Sequence, residues 1–309
     1  MKNRAIKVII SGLDNAGKTS ILTAIDKKYD FRKDILELKP TIKVEYQRTK
    51  FLGQDVIFWD MGGQEKYREL YRIRKDVYFS ETDLILYVID IQDRERLKTS
   101  LDYFNSILSY FIESDEKVPI IVTFHKYDPE IQDYDEINKD VNDLKRKVKS
   151  RYPEFEFLFQ QTSIYDIISI VQLISYGLSV FDKNFFELSL LLQSQLSKFE
   201  CFSLILFDQN GIIVSEFYKE MILPEYYIRL IESIKEHLFV TRRIDEENYK
   251  DDYNFIAIEN EMVSLLHSFD IHNFRFYISA IMEEKIKNDF IQDFPDFIDE
   301  LSSILEYLV

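Results

Sequence analysis

A single cysteine, Cys201, excludes an internal disulfide and any zinc site built from several cysteines. It lies in the apolar stretch CFSLILF, expected to be a strand that buries it as a small hydrophobe rather than exposing a reactive thiol. Basic residues are outnumbered: 39 lysines and arginines face 55 aspartates and glutamates, for a net charge of −16. Such a chain repels nucleic-acid phosphates and anionic lipid, so no nucleic-acid partner and no electrostatic membrane contact is expected. Apolar runs are short. The longest, IISIVQLISYGLSVF, falls below the roughly 20 residues of a membrane span and contains glutamine and serines. The opening MKNRAIKVII has too short an apolar run for a secretory leader, no glycine follows the first methionine, and no cysteine lies near the last residue. The expectation is a cytoplasmic protein without direct membrane insertion.

Glycine is also sparse and unevenly placed. Five of the seven (Gly12, Gly17, Gly53, Gly62, Gly63) fall in the first 63 residues. Charge is skewed the other way: 24 of the acidic and 11 of the basic residues lie from Lys183 onward. Two units of different character are expected, residues 1–182 and 183–309. With 46% hydrophobic residues, both can bury a core.

The first unit alternates strands and helices. IKVII is a short strand, SGLDNAGKTS a glycine loop, and SILTAIDKK a helix with Ile21, Leu22 and Ile25 at helical spacing. KVEYQRTKFLGQDVIFWD reads as a hairpin and EKYRELYRIRKDVYF as one helix. DLILYVID, VPIIVTF and FEFLFQQTS follow as strands, separated by LKTSLDYFNSILSYF and DEINKDVNDLKRKVKS as helices, with IISIVQLISYGLSVF as the last helix. This order implies a mainly parallel, doubly wound α/β sheet whose ligand binds beyond the carboxyl ends of the strands. The second unit reads α-β-β-α-β-β-β-α, an antiparallel sheet with flanking helices, ending in an acidic helix over roughly residues 284–308.

The chemistry sits at strand ends. GLDNAGKTS fits G-x-x-x-x-G-K-[ST] between a strand and a helix, the context this pattern requires. In such a loop the amides around Asp14, Asn15, Ala16 and Gly17, and the helix start at Ser20, point at phosphate oxygens. Lys18 reaches the outer phosphates and the Thr19 hydroxyl ligates magnesium. In WDMGGQE, Asp60 at a strand end is placed to hold magnesium through water, Gly63 offers an amide to the terminal phosphate, and Gln64 orients an attacking water. Thr41, in KPTIKVEY, is the candidate to close over the terminal phosphate and the metal; taken alone it would be an ordinary turn residue.

HKYD follows the strand IIVTF and points to a guanine base. Guanine presents two adjacent donors that one carboxylate, Asp128, can accept, whereas adenine lacks that pair and leaves the acceptor underused. The Lys126 stem can lie along the base. His125 stands where an asparagine amide is commoner and, with one donor and one acceptor nitrogen, can tie the phosphate loop to the base site; by itself it would be a satisfied strand-end histidine. TSI, residues 162–164, ends the last strand where the amides of Ser163 and Ile164 could meet the base oxygen.

These five elements in order resemble a small GTPase; GLDNAGKT and WDMGGQ are similar to the Arf-like branch. HKYD, TIKVEY followed by FLG, and TSI before an acidic residue resemble the Rag/Gtr GTPases, and the isoleucine-, lysine- and aspartate-rich composition also suits an archaeal relative. The resemblance implies a P-loop G domain followed by a roadblock (longin-like) domain, GTP/GDP and Mg2+ as ligands, and a GTP hydrolase that acts as a switch. It implies the same phosphate, metal and base roles for the residues above, with Asp14 following the Arf-like pattern. It further implies a homodimer or a heterodimer with a related Rag/Gtr-like GTPase or roadblock protein, regulation by GTPase-activating and exchange proteins, and any membrane recruitment being peripheral, through protein partners. No arginine lies in the three residues before Thr41, so slow unassisted turnover is expected. Two rivals stand beside this: a GTP-binding scaffold that hardly hydrolyses, and a P-loop enzyme that uses ATP.

Overall fold

The computed structural model describes residues 4–27, 38–52, 54–179, 184–219, 222, 224–247 and 254–309. The chain divides into two compact units, Met1–Thr49 with Gln54–Gly177, and Lys50–Gly53 with Leu178–Val309. The boundary expected after residue 182, the hairpin glycine Gly53 and the side chain of Ile25 lie outside the described residues.

In the first unit, β1 (Ile6–Gly12), α1 (Lys18–Lys27), β2 (Val44–Phe51), β3 (Gln54–Met61), α2 (Glu65–Ile73), α3 (Lys75–Phe79), β4 (Leu84–Asp90), α4 (Leu97–Glu113), β5 (Ile120–His125), α5 (Asp135–Arg151), β6 (Phe157–Thr162) and α6 (Ile167–Ser179) follow in order. Six strands form one sheet, β2-β3-β1-β4-β5-β6. β1 pairs in parallel with β3 and β4, β4 with β5, and β5 with β6. The central strands are apolar on both faces, as a sheet covered twice by helices requires: Val8, Ile9 and Ile10 of β1 are fully buried, and β4 is buried from Leu84 to Ile89. Helix α4 presents Phe104, Ile107, Leu108 and Phe111 to this core, and α5 presents Ile137, Val141, Leu144 and Val148. Both sets follow the three- and four-residue spacing of one helix face. Each such fully buried side chain contributes about 1.5–3 kcal/mol.

The stretch expected as one helix, EKYRELYRIRKDVYF, is two. Arg74, at φ −116 and ψ 43, leaves helical geometry and ends α2 while starting α3. Two anchors pull the halves apart. Tyr71 of α2 donates its hydroxyl to Lys43 O at 2.5 Å, while the last carbonyls around α3, Tyr78 O and Ser80 O, accept from Lys7 Nζ at 2.8 Å.

The second unit holds α7 (Asn184–Phe199), β7 (Ser203–Asp208), β8 (Ile213–Tyr218), α8 (Pro224–Glu246), β9 (Asn254–Glu259), β10 (Met262–Ile271), β11 (Phe274–Glu283) and α9 (Lys287–Leu305). Its five strands lie in the order β8-β7-β11-β10-β9, and every neighbouring pair is antiparallel. The element order is the expected one and fits a roadblock-like domain. α8 runs seven residues past Phe239, where the helix expected over PEYYIRLIESIKEHLF ends, and keeps Thr241 and Ile244 buried on the same face. Cys201 is fully buried, with its thiol pushed up to about 12 by burial, which matches an inert core residue.

Candidate functional site

The glycine loop owes its path to backbone only glycine tolerates well. Gly17 lies at φ +93, and a Cβ there would stand 2.6 Å from His125 Nε2; Asn15 takes the left-handed region at φ 60, which asparagine accepts more readily than most residues. The loop therefore wraps into the start of α1, whose first residue, Lys18, is buried and donates to Gly12 O at 3.1 Å and Leu13 O at 2.6 Å. Burial lowers the Lys18 ammonium to about 8, against the pull of the Asp60 and Asp14 carboxylates. A phosphate anion would relieve that cost.

Three side chains from three segments converge beside it. The Thr19 hydroxyl donates to Asp60 Oδ2 at 2.5 Å and lies 2.9 Å from Thr41 Oγ1, and Thr41 Oγ1 donates to Asp60 Oδ2 at 3.2 Å. Asp60 is buried, its carboxyl raised by desolvation, and its Oδ1 has no hydrogen-bond partner. A buried carboxylate oxygen without a partner, flanked by two hydroxyls, fits a small hard cation that takes oxygen ligands and shares its shell with phosphate. Among the described residues there is no cluster of three or more His, Cys, Asp or Glu that would suit a softer metal.

The end of β3 is pressed onto the glycine loop. A Cβ on Gly63 would fall 2.5 Å from Leu13 O, and one on Gly62 would fall 2.7 Å from Thr41 O. The loop carrying Thr41 is tied to the same place: Lys43, at φ 61, offers its carbonyl to Gly62 N at 2.6 Å and to the Tyr71 hydroxyl. Gln64 caps α2 through its backbone, with its side chain making no capping bond. A cleft of ≈ 280 Å³ results, lined by Asp14, Asn15, Gly17, Lys18, Thr19, Ser20, Thr41, Gly63 and Gln64, with Leu38, Lys39 and Pro40 on one rim. Ala16 is buried behind it.

At the far end, β5 and β6 set the second cluster by register. His125 pairs with Thr162 across the sheet, which places His125 Nδ1 2.9 Å from Thr162 Oγ1. Burial, aided by the neighbouring Lys126 charge, holds the imidazole neutral, down to about 3. Its other edge packs under Gly17. Lys126, at φ 60, ion-pairs through Nζ with Asp90 Oδ2 at 2.7 Å. The Asp128 carboxylate is held from both sides: Ser163 Oγ donates to Oδ1 at 2.5 Å and Gln92 Nε2 to Oδ2 at 2.8 Å. Each oxygen keeps a further lone pair, as acceptance of two adjacent donors requires.

The Ser163 amide, expected to face the base, donates to Ser169 Oγ at 3.1 Å, because the turn into α6 folds that hydroxyl back; Ser163 reaches the cluster through its own hydroxyl. Ile164 follows it, half-buried. Sequence reasoning missed Gln92, which also donates to Lys126 O at 2.7 Å; its position just beyond the carboxyl end of β4 was the available signal. It also missed Arg96, which contacts Asp14 Oδ1 at 3.3 Å and Asp14 O at 3.4 Å, and Arg68, which donates to Gly63 O at 2.9 Å. Nothing in local spacing announces the Arg96 contact, 82 residues away in the chain, or the backward turn of the Arg68 side chain.

A parallel sheet with a glycine loop at β1, a hydroxyl–carboxylate trio at β3 and a clamped carboxylate beyond β5 defines a P-loop nucleotide-binding protein. The family model described as "Gtr1/RagA G protein conserved region" matches residues 7–229, and the chain belongs to that family. It is 34% identical over 123 residues to "ADP-ribosylation factor-like protein 5" of Caenorhabditis elegans, covering 40% of this chain and 62% of that protein. It is 35% identical over 124 residues to "Ras-related GTP-binding protein A" of Dictyostelium discoideum, covering 40% of each. With "ADP-ribosylation factor-like protein 3" of Saccharomyces cerevisiae the figures are 32% over 142 residues, 44% and 69%. The chain thus spans less than two thirds of the first two relatives. Among solved structures, the Arl6 small GTPase of Trypanosoma brucei with a bound nucleotide analogue aligns at TM-score 0.44 and 16% identity, covering 57% of this chain and 97% of that one.

Proposed function

We propose that this protein is a Rag/Gtr-type molecular switch that binds GTP and GDP with Mg2+, hydrolyses GTP slowly, and pairs with a like or related chain through its second unit. The observation that carries this reading is the convergence of Thr19, Thr41 and Asp60 beside Lys18, with a clamped Asp128 at the other end of the same sheet edge. The loop amides from Asp14 to Thr19, the start of α1 at Ser20, and Lys18 bind the phosphates. Thr19, Thr41 and Asp60 would hold the magnesium, which when bound neutralises charge on the phosphate oxygens. Gly63, wedged against the loop, presents its amide to the terminal phosphate, and Gln64 orients water in line with it. Asp128 accepts the two guanine donors while His125, Lys126, Ser163 and Ile164 frame the base.

Thr41 and Gly63 reach the terminal phosphate from different segments, so its departure releases both, and the bond from Gly62 N to Lys43 O, one residue before Gly63 and two after Thr41, couples the two segments. This supports a switch. Turnover without assistance is expected on the order of 10⁻⁴ to 10⁻² per second. Single-turnover hydrolysis by the purified protein and by Gln64→Leu tests the reading. The variant should retain GTP and lose hydrolysis; equal hydrolysis in both would remove Gln64 from the reaction, and none in either would leave a nucleotide-binding scaffold instead.

Pairing is supported by β9, an edge strand of the second sheet with Ile256 and Ile258 each more than two-fifths exposed, and by Ile228 on α8, 65% exposed. No described helix is long and apolar enough to cross a membrane; the membrane association proposed is peripheral, through protein partners. Activating and exchange proteins would set the cycle.

A further inference from the structure

Arg68 lies one turn into α2, half-buried, and its side chain turns back towards the glycine pair instead of out to solvent. Its Nε donates to Gly63 O at 2.9 Å, and its guanidinium lies 5.3 Å from the centre of the Tyr103 ring on α4. That ring is itself fixed: Tyr103 is buried, and its hydroxyl lies 3.1 Å from Ser11 Oγ near the end of β1. The carbonyl Arg68 holds belongs to the peptide that joins Gly63 to Gln64, so its orientation also sets the direction of the Gln64 amide and the start of the Gln64 side chain. Gln64 is constrained on its other side by α2, where Gln64 O accepts from Tyr67 N at 2.9 Å and Arg68 N at 3.0 Å.

We propose that Arg68 is a positioning residue for hydrolysis, which braces the Gly63–Gln64 peptide against Tyr103 and so holds Gln64 in line with the terminal phosphate. The inference rests on the GTPase reading above. Arginine suits the task better than lysine because a planar guanidinium can donate along its edge to a carbonyl while its face lies on an aromatic ring.

The bland alternative is that Arg68 only packs α2 onto the sheet. The two roles separate in one experiment on the full chain with Mg2+: single-turnover GTP hydrolysis, GDP affinity and melting temperature for the wild type, Arg68→Gln and Arg68→Lys. The expected result is hydrolysis lowered about tenfold or more in Arg68→Gln, partly restored in Arg68→Lys, with GDP affinity within about twofold of the wild type. Hydrolysis unchanged in both variants, or hydrolysis and GDP affinity falling together with the melting temperature, overturns the proposal. Absence of hydrolysis in the wild type would instead overturn the GTPase reading itself. If Arg68→Gln does not fold, Arg68→Lys carries the test alone: hydrolysis at the wild-type rate or a parallel loss of GDP binding counts against the brace.

Discussion

Two buried histidines show how much a single residue's surroundings decide. His237 of α8 is fully buried, with Nδ1 2.7 Å from Ser279 Oγ and Nε2 2.7 Å from Ser264 Oγ, so one imidazole fastens the helix to β11 and β10 at once. Burial lowers it, like His125, to about 3. Both rings are neutral in the folded protein while the unfolded chain takes up a proton below about pH 6.5, so their contribution to stability is complete above that pH and is lost as pH falls towards about 3. Each pH unit in that window costs about 1.4 kcal/mol per histidine. His237→Gln should therefore lower the melting temperature clearly at pH 7 and by less at pH 5, since glutamine does not titrate. A gap that is constant or wider at pH 5 would contradict this. At the base site, Asp128→Ala should cut the preference for GTP over ATP by about 10²-fold or more in competition binding, because the two guanine donors lose their acceptor. The positions of Lys18, Thr19 and Asp128 at the strand ends were legible in the sequence because fixed motifs carry them. The contacts of Gln92 and Arg68 were not, because each depends on a partner more than one element or turn away whose direction no local pattern records.

Elements fix which of those residues can meet. The 3.6-residue and two-residue periods placed nearly every helix and strand, since burial on a twice-covered sheet leaves long apolar strands and clean helix faces. The break at Arg74 escaped because it arises from tertiary anchors, the Tyr71 hydroxyl on Lys43 O and Lys7 on the end of α3, and not from a glycine or proline. The turn from β1 into α1 is the most exacting junction. Gly17→Ala forces a positive φ on alanine and drives its Cβ into His125, so it should destabilise the first unit by about 1–3 kcal/mol and abolish nucleotide retention on purification. Retention at the wild-type level would mean that His125 can move aside and that the packing of β5 under the loop matters little.

For the whole molecule, the claim is that two units serve one cycle: the first holds nucleotide, the second holds a partner chain. The charge skew in the sequence announced two units, but which surface pairs depends on the edge order β8-β7-β11-β10-β9, which only the folded sheet supplies. Ile256→Lys combined with Ile258→Lys should shift the full chain from dimer to monomer in sedimentation without loss of nucleotide, because charges on an edge strand oppose edge pairing. A dimer that survives the double change would move the interface elsewhere. The account as a whole rests on guanine nucleotide occupying the cleft, and titration calorimetry of the purified protein with Mg2+ against GTP and ATP tests it most directly. Tight binding of GTP with ATP weaker by about 10²-fold or more is the expected result; equal affinity for the two, or heat from neither, contradicts it.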